Sequence, residues 1–468
     1  MTGSSLEDVV NGVRTNLVDH LRNLQAGPNV YPGVPPEYTN WRDEQLAWQR
    51  TCVLFNQSYH MAELLLEGPG ALALLTGLGV NSFARFPVNS AKQFVPCTPD
   101  GYVIGDVILF RLGERTFNLV GRIPALNWVR YHAETGGHDV TATLDERSAA
   151  RPDPFNRRSY RYQIQGPDAA RVIERATGAP APELTFFHIT TITIAGREVR
   201  ALRHGMAGQP GYELFGPWAE GEEVHSALVA AGEEYGMRLV GGRAYSSNTL
   251  ESGWIPSPLP AIYTGAALKS YRQWLPADGY EANASIGGSF VSDRIEDYYL
   301  TPWDLGYGSF VKFDHDFIGR DALEAKAAEP HRRKVTLALD AGDFLAAIGS
   351  QLDKEGRPAK WVEFPSAVYA MHPYDLVKAG GAPAGISTWI GYSANERRML
   401  TLAMLDEEHA HEGVQVSLVW GEPDGGSGKL TVERHALAEI GATVSPVPYT
   451  EVARKIYADG GWRKAALK

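Results

Sequence analysis

This chain of 468 residues is short of several things at once. Its two cysteines, Cys52 and Cys97, make neither a disulfide framework nor a metal-ligand spacing. Reduced thiols in the cytoplasm are the expectation. Against a net charge of −11, no run of Lys or Arg stands out. That argues against a nucleic-acid partner, because phosphate contacts need clustered cations. No apolar stretch approaches the ~20 residues of a membrane-spanning helix, so no membrane partner is expected. The start, MTGSSLEDVVNGVRTNL, lacks the apolar core of a signal peptide. Neither H-E-x-x-H nor G-x-S-x-G occurs, so two common hydrolase signatures are missing. The run GGSGK at 425–429 imitates a phosphate loop. However, Pro423 stands where its first glycine belongs and Leu430 where its Ser or Thr belongs. His409 and His411 form a bare H-x-H without nearby cysteine, short of the three or four ligands zinc needs.

What is present is a globular chain. Hydrophobic residues make up 44%, and the length suggests two or three domains. The expected units are α+β modules over 1–150 and 151–325, followed by a mainly β module over 326–468. Leu6 to Asn23 reads as an amphipathic helix. Gly27 to Tyr38, with Pro28, Pro32, Pro35 and Pro36, reads as an ordered loop around Tyr31. Tyr102–Leu112 and Thr116–Val120 read as paired strands, and Ile123–Thr135 as a helix stopped by Gly136-Gly137. Tyr160–Gln165, then Asp168–Thr177, read as a strand and a helix. Thr190–Leu202 reads as a hairpin turning at Ala195-Gly196, and Gly221–Tyr235 as a helix. In the last third, Arg333–Asp340, Thr401–Leu405, Gln415–Trp420 and Lys429–Glu433 have strand texture.

Thr301 to Leu323, TPWDLGYGSFVKFDHDFIGRDAL, carries twelve residues in register with a pattern of the form T-P-x-x-x-G-x-G-x-x-V-K-x-x-x-x-F-I-G-R-x-A-L. On these residues the chain resembles the T-protein (aminomethyltransferase) family of the glycine cleavage system. Gln165-Gly166-Pro167, Arg203–Phe215 (RHGMAGQPGYELF) and Ala244–Gly253 (AYSSNTLESG) match further family blocks in the family's order. The resemblance implies a three-domain ring around a central folate channel, with a C-terminal barrel. It implies tetrahydrofolate as the one-carbon acceptor. It also gives Glu213 as the carboxylate that binds the pterin, since a carboxylate accepts two parallel hydrogen bonds. Gln165 would line the same pocket.

The departures are informative. Where the family has two adjacent aspartates this chain has Gly105-Asp106, and Tyr245 replaces the arginine of the family's A-R-D segment. Arg122 follows Gly121 where the family has a small residue. These changes resemble a narrower group, the tetrahydrofolate-dependent aryl O-demethylases acting on syringate, vanillate and 3-O-methylgallate. The match includes Tyr31, Gln57 and His60, Arg203–Gly208, Ser247–Tyr263 and Ile295–Tyr299. Methyl transfer from an aryl ether leaves a phenolate, a poor leaving group unless a donor neutralises it. Tyr245 is the first choice of donor, since a phenol with a reference pKa of about 10 stays protonated at neutral pH. His60 is the second, as donor or proton shuttle. Arg122 can clamp the substrate carboxylate with two parallel N–H bonds. Tyr31, Gln57 and Tyr298 are carried over as substrate contacts. Trp254 offers a flat face to the pterin or the ring. A glycine-cleavage aminomethyltransferase and a folate-binding protein without turnover are the competing readings. The latter's K-G-C motif is absent.

Overall fold

The computed structural model describes residues 4–14, 16–27, 31–206, 209–256 and 258–458. Pro28, Ala207, Gly208 and Ser257, part of the segments quoted above, lie outside the described residues.

The strand Ser159–Gln165 shows how the fold places polar groups inside. Its sequence, SYRYQIQ, alternates strictly, and in a strand successive side chains point to opposite faces. Tyr160, Tyr162 and Ile164 pack against the helices Ala169–Thr177 and Gly221–Gly232. Arg161, Gln163 and Gln165 point the other way and are nonetheless at most 1% exposed. A second sheet covers Arg161 through Glu63 and Phe110, and the segment 204–206 bonds Gln163 and Gln165. Ala91, Phe110 and Val120 from that sheet meet Ile189, Leu202 and Phe215 from the first in one apolar cluster.

The first sheet has six strands in the order Arg238–Val240, Val53–Asn56, Ser159–Gln165, Gly211–Pro217, Arg197–Arg203, Ile189–Ile194. It takes strands from both sides of residue 150. Val53–Asn56 pairs parallel to Arg238–Val240 and antiparallel to Ser159–Gln165. The second sheet has five strands in the order Ser90–Phe94, Val107–Arg111, Thr116–Gly121, Ala62–Glu67, Thr141–Asp145. Its far face is covered by the helices Ala71–Leu78 and Ile123–Thr135. Arg333–Leu339, Arg398–Leu405, Ala382–Ser393, Asp375–Ala379, Gln415–Trp420 and Ala438–Ser445 close into a barrel. Closure leaves no strand edge to be satisfied by water. The expected fold class, α+β with a mainly β C-terminal barrel, is the one observed.

The Thr301–Leu323 segment works mainly as a strap. Thr301 N–H donates to Asp304 (2.7 Å), Lys312 N–H to the Val80 carbonyl (2.9 Å) and Ile318 N–H to the Gly77 carbonyl (3.0 Å). Gly319 has φ +90°, and a Cβ there would stand 2.4 Å from the Thr98 carbonyl oxygen, so no other residue fits.

Three local expectations differ. The expected helix over 6–23 is two helices, Leu6–Gly12 and Leu17–Arg22. Gly12 ends the first, and Asn16 opens the second by accepting from Asp19 N–H (2.8 Å). The strand expected from Tyr102 begins at Val107. Val103 and Ile104 send their N–H groups to the carbonyls of Leu300 (2.8 Å) and Pro96 (3.0 Å) instead. Lys429–Glu433 is a turn, because the Lys429 ammonium is drawn inward to the carbonyls of Arg22 and Ile286 (2.7 Å to the latter).

Glu281 is buried under the helix Ile123–Thr135. Asn127 donates to one of its oxygens (3.0 Å), while the other oxygen has no hydrogen-bond partner. Burial pushes its carboxyl up from 4.5 to about 7. The folded state therefore holds this proton where the unfolded state has lost it, and stability falls as pH rises from 4.5 to about 7. Glu281→Gln removes that penalty. Its melting temperature should exceed wild type by several degrees at pH about 8 and by much less at pH about 5. Calorimetry at the two pH values checks this, and an equal shift at both contradicts it.

Candidate active site

Two neighbouring segments deliver Gln57, His60 and Tyr245 of the expected site. The strand Val53–Asn56 runs on into Gln57, whose N–H donates to the Arg161 carbonyl (2.9 Å), and the turn beyond it presents His60. The short helix Gly242–Tyr245 begins as the sheet's edge strand Arg238–Val240 ends. The Tyr31 ring comes from the proline-rich loop, which lies directly over that helix. Three rings result, with centroids 4.9 Å (Tyr31–His60), 5.1 Å (Tyr31–Tyr245) and 4.7 Å (His60–Tyr245) apart. Phe55 closes the back of Tyr245 edge-on at 5.2 Å.

Gln57 fixes the chemistry of the trio. Its Nε2 donates to the Tyr245 hydroxyl (3.2 Å) and to the Met206 sulfur (3.3 Å). The Tyr245 oxygen is thus an acceptor inside the protein, and its own O–H is left to donate elsewhere. Burial, with the neighbouring Tyr31 phenol, holds the Tyr245 hydroxyl well above 10, so it stays protonated. The same burial, with the positive charges of Arg157 and Arg122, pulls His60 down to about 3. His60 is therefore a neutral imidazole near neutral pH and not a cationic acid. Gln57 Oε1 and His60 Nδ1 are buried without a hydrogen-bond partner, as is Gln165 Nε2. Buried polar atoms are normally paired, so such a concentration marks places for ligand atoms. Gln165 joins the group through Met206, whose N–H it accepts (2.6 Å).

Arg122 sits where the strand Thr116–Gly121 gives way to the helix Ile123–Thr135, half-buried at the helix N-cap. Its charge is felt at His60. In the antiparallel register Val107 pairs with Gly121, so Asp106 stands across from Arg122. Asp106 Oδ2 accepts from Gln93 (2.7 Å), Trp254 Nε1 (3.0 Å) and the Tyr307 hydroxyl (2.8 Å). Trp254 is thereby held by its indole N–H while 40% of its surface stays exposed. A retained family aspartate thus organises an aromatic wall at the same edge of the sheet.

Glu213 lies below the trio on the strand Gly211–Pro217 and acts electrostatically on Tyr245. Arg161 Nη1 donates to it (2.5 Å), and His204 Nδ1 lies 3.6 Å away. Burial opposes its ionisation, yet His204 and Arg161 bring its carboxyl below the usual range, so it is an anion. Arg161 also donates from Nε and Nη2 to both oxygens of Glu63 (2.9 and 3.1 Å). Its guanidinium is sandwiched between Phe110 and Phe215, 4.8 and 4.7 Å from the ring centres.

Tyr298 is not brought to this group. Its hydroxyl accepts from Ser292 N–H (3.1 Å), and its ring lies against Phe290 and Tyr374 at the barrel side. Sequence reasoning gave no role to Arg161, Gln163, His204 or Met206, although the last two lie in the matched block Arg203–Gly208. The signal was present in SYRYQIQ, a strand polar on one face whose chain neighbours are all strongly apolar or aromatic.

Removing Arg161 leaves two buried carboxylates facing each other. Arg161→Met should cost about 3–5 kcal/mol, and urea unfolding measures it. A loss below about 1 kcal/mol would mean the triad contributes little.

Comparison with known proteins gives a consistent set of relatives. Residues 25–257 match the model of the GCVT N-terminal domain. Syringate O-demethylase of Sphingobium sp. is 60% identical over 459 residues, 98% of this chain and 98% of that protein. Sesamin methylene transferase of Sinomonas sp. is 29% identical, covering 90% and 91%. An aminomethyltransferase of Halothermothrix orenii is 31% identical over 64% of this chain and 72% of its own. Among solved structures, the glycine cleavage aminomethyltransferase T of Bartonella henselae superposes with TM-score 0.60. It is 19% identical and covers 92% of this chain and 95% of its own, a likeness of fold.

Proposed function

This chain belongs to the GCVT family, and we propose that it is a tetrahydrofolate-dependent aryl O-demethylase. It moves the methyl group of a methoxylated aromatic acid to N5 of tetrahydrofolate and releases the phenol. Syringate is the favoured substrate, with vanillate and 3-O-methylgallate next, in the breakdown of lignin-derived aromatics. The observation that carries the reading is the Tyr245 hydroxyl. It accepts from Gln57 on one side and keeps its proton for a ligand on the other, in a buried aromatic pocket beside Arg122. Aminomethyl transfer is the distant alternative, since the aminomethyltransferases are 31% identical or less where syringate O-demethylase reaches 60%.

Tetrahydrofolate, when bound, supplies the nucleophilic N5 that takes the methyl group. The residues present suit it: an ionised Glu213 accepts from a pterin edge, the unpartnered Gln165 Nε2 can donate, and Trp254 offers a face. Arg122 holds the acid's carboxylate, helped by the positive end of the helix it caps. Tyr31 and His60, in contact with each other, line one side of the seat for the aromatic ring. The C–O bond of the ether breaks as the methyl group leaves for N5, Tyr245 passes its proton to the phenolate oxygen, and the proton displaced from N5 restores Tyr245 through solvent. His60, held neutral by burial and by Arg157 and Arg122, adds no charge to the ring it touches. Its unpartnered Nδ1 is placed to hydrogen-bond the ring hydroxyl. The cytoplasm is the proposed location, in keeping with two buried free thiols. Among the described residues no helix is long and apolar enough to cross a membrane.

Anaerobic incubation with tetrahydrofolate and syringate, then vanillate, tests the proposal. Equimolar 5-methyltetrahydrofolate and demethylated phenol are expected, and no turnover on either acid rejects it. Tyr245→Phe should lower kcat by about 100-fold or more with folate affinity nearly unchanged. Because Tyr245 loses its proton only well above pH 10 and His60 gains one only near pH 3, kcat should be flat from pH about 6 to 9 with respect to both groups. Arg122→Ala should raise KM for the acid while leaving turnover of a carboxylate-free guaiacol unaffected. An equal loss on both substrates removes the clamp.

A further inference from the structure

One buried carboxylate outside the reacting group ties two of its sides together. Glu44 lies on the helix Trp41–Arg50 and is wholly buried. Its Oε1 accepts from the backbone N–H groups of Tyr38 (2.7 Å) and Thr39 (3.0 Å), at the end of the proline-rich loop that carries Tyr31. Its Oε2 accepts from Gly241 N–H (2.8 Å), the N-cap of the helix that ends in Tyr245. Neither segment belongs to the other's secondary structure, and the carboxylate clamps both.

The two segments are also laced directly. Gly242 N–H donates to the Pro35 carbonyl (2.9 Å) and Arg243 N–H to the Pro36 carbonyl (3.1 Å). The approach is close enough to demand glycine. A Cβ on Gly241 would stand 2.4 Å from the Pro36 oxygen, and one on Gly242 would stand 3.2 Å from the Tyr31 ring. The rest of the same helix face does similar service: Gln45 Nε2 donates to Ser247 (2.6 Å), and Trp48 Nε1 to Glu251 (2.7 Å), just beyond Tyr245. The helix Trp41–Arg50 is thus a jig on which the Tyr31 loop and the Tyr245 segment are both mounted.

We infer that Glu44 is a positioning residue that sets the spacing of the Tyr31 and Tyr245 rings, and so the surface against which the aromatic acid seats. This rests on the reaction proposed above. Glu44 acts through backbone amides and touches no reacting atom. A carboxylate is needed there because all three partners are donors. A glutamine keeps the shape but turns an N–H₂ group toward one of the two segments, which then separates from the helix. Small misplacements of a bound reactant cost large factors in rate, so the effect should appear on the acid.

The test is a double-mutant cycle of Glu44→Gln and Tyr31→Ala. It is read as KM and kcat for syringate, together with the dissociation constant of tetrahydrofolate by fluorescence quenching. Glu44→Gln alone should raise KM for the acid about tenfold. It should leave folate affinity within about twofold and add almost nothing in the Tyr31→Ala background. Additive effects, or equal loss of acid and folate, would overturn the inference. Should Glu44→Gln fail to fold, Gly242→Ala keeps the carboxylate and presses on the Tyr31 ring; it must give the same KM rise without a folate effect. Wild-type protein that turns over no methoxylated acid rejects the reaction itself. Wild-type turnover with an additive cycle rejects only the positioning role.

Discussion

Everything at the centre of this molecule depends on one arginine buried between two sheets. Arg161 binds Glu63 of the five-stranded sheet with two hydrogen bonds and Glu213 of its own sheet with a third. Burying charge is costly unless every member is satisfied. Here Ser159 and Asn118 complete Glu63, and two phenyl rings cover the guanidinium. Glu63 is held down to about 2 and Glu213 is also an anion, so the triad keeps a net negative charge near Tyr245. The cost of removing Glu213 from water is already met before any ligand arrives. A preset anion aimed at a donor-rich ring needs no reorganisation when that ring binds.

The second constraint is aromatic. Tyr31, His60, Tyr245 and Phe55 exclude water from the same small volume, and this exclusion is why two titrating groups move so far. Desolvation penalises the charged form of each, so a phenol is kept an acid and an imidazole kept neutral. The sequence alone left the choice between Tyr245 and His60 open. Burial raises the phenol and lowers the imidazole, and the two arginines near His60 make a protonated imidazole still less favourable.

Much of this was readable from residue order, for identifiable reasons. Helices with clear periods and stops, such as Ile123–Thr135, appeared where expected. Tyr31, Gln57, His60, Arg122 and Tyr245 lie near one another although they are spread over more than two hundred positions, which only a family pattern could have indicated. What periodicity could not reveal was which polar faces are buried. Arg161, Gln163 and Gln165 look like the solvent side of a strand until the second sheet is placed over Arg161 and the segment 204–206 over the two glutamines. Tyr298 shows the reverse case, a pattern match that the fold does not bring to the other residues. It stands in a matching segment, yet its hydroxyl is engaged by Ser292 and its ring by Phe290 and Tyr374. The signature segment 301–323 identified the fold because its glycines are forced by close approach, not because it carries chemistry, save for the Tyr307 hydroxyl on Asp106.

Two of the departures from the aminomethyltransferase pattern, Gly105 and Tyr245, follow from what each reaction must do with charge. Asp106 survives, but its Oδ2 is held by Gln93, Trp254 and Tyr307, an arrangement that builds a wall. Gly105 lies against the start of the helix Ile123–Thr135, where a side chain would meet Ala125 at 3.3 Å, so a second aspartate has little room. At position 245 a permanently charged arginine would have to be buried among Tyr31, His60 and Phe55 with no carboxylate bonded to it. A phenol costs far less there and can surrender its proton, which a guanidinium cannot do near neutral pH. An aryl ether leaves as an anion that must be neutralised in the same step, so the residue best suited is an acid that is uncharged before transfer. Tyr245, kept protonated by its surroundings and oriented by Gln57, meets that requirement with groups the fold already holds in place.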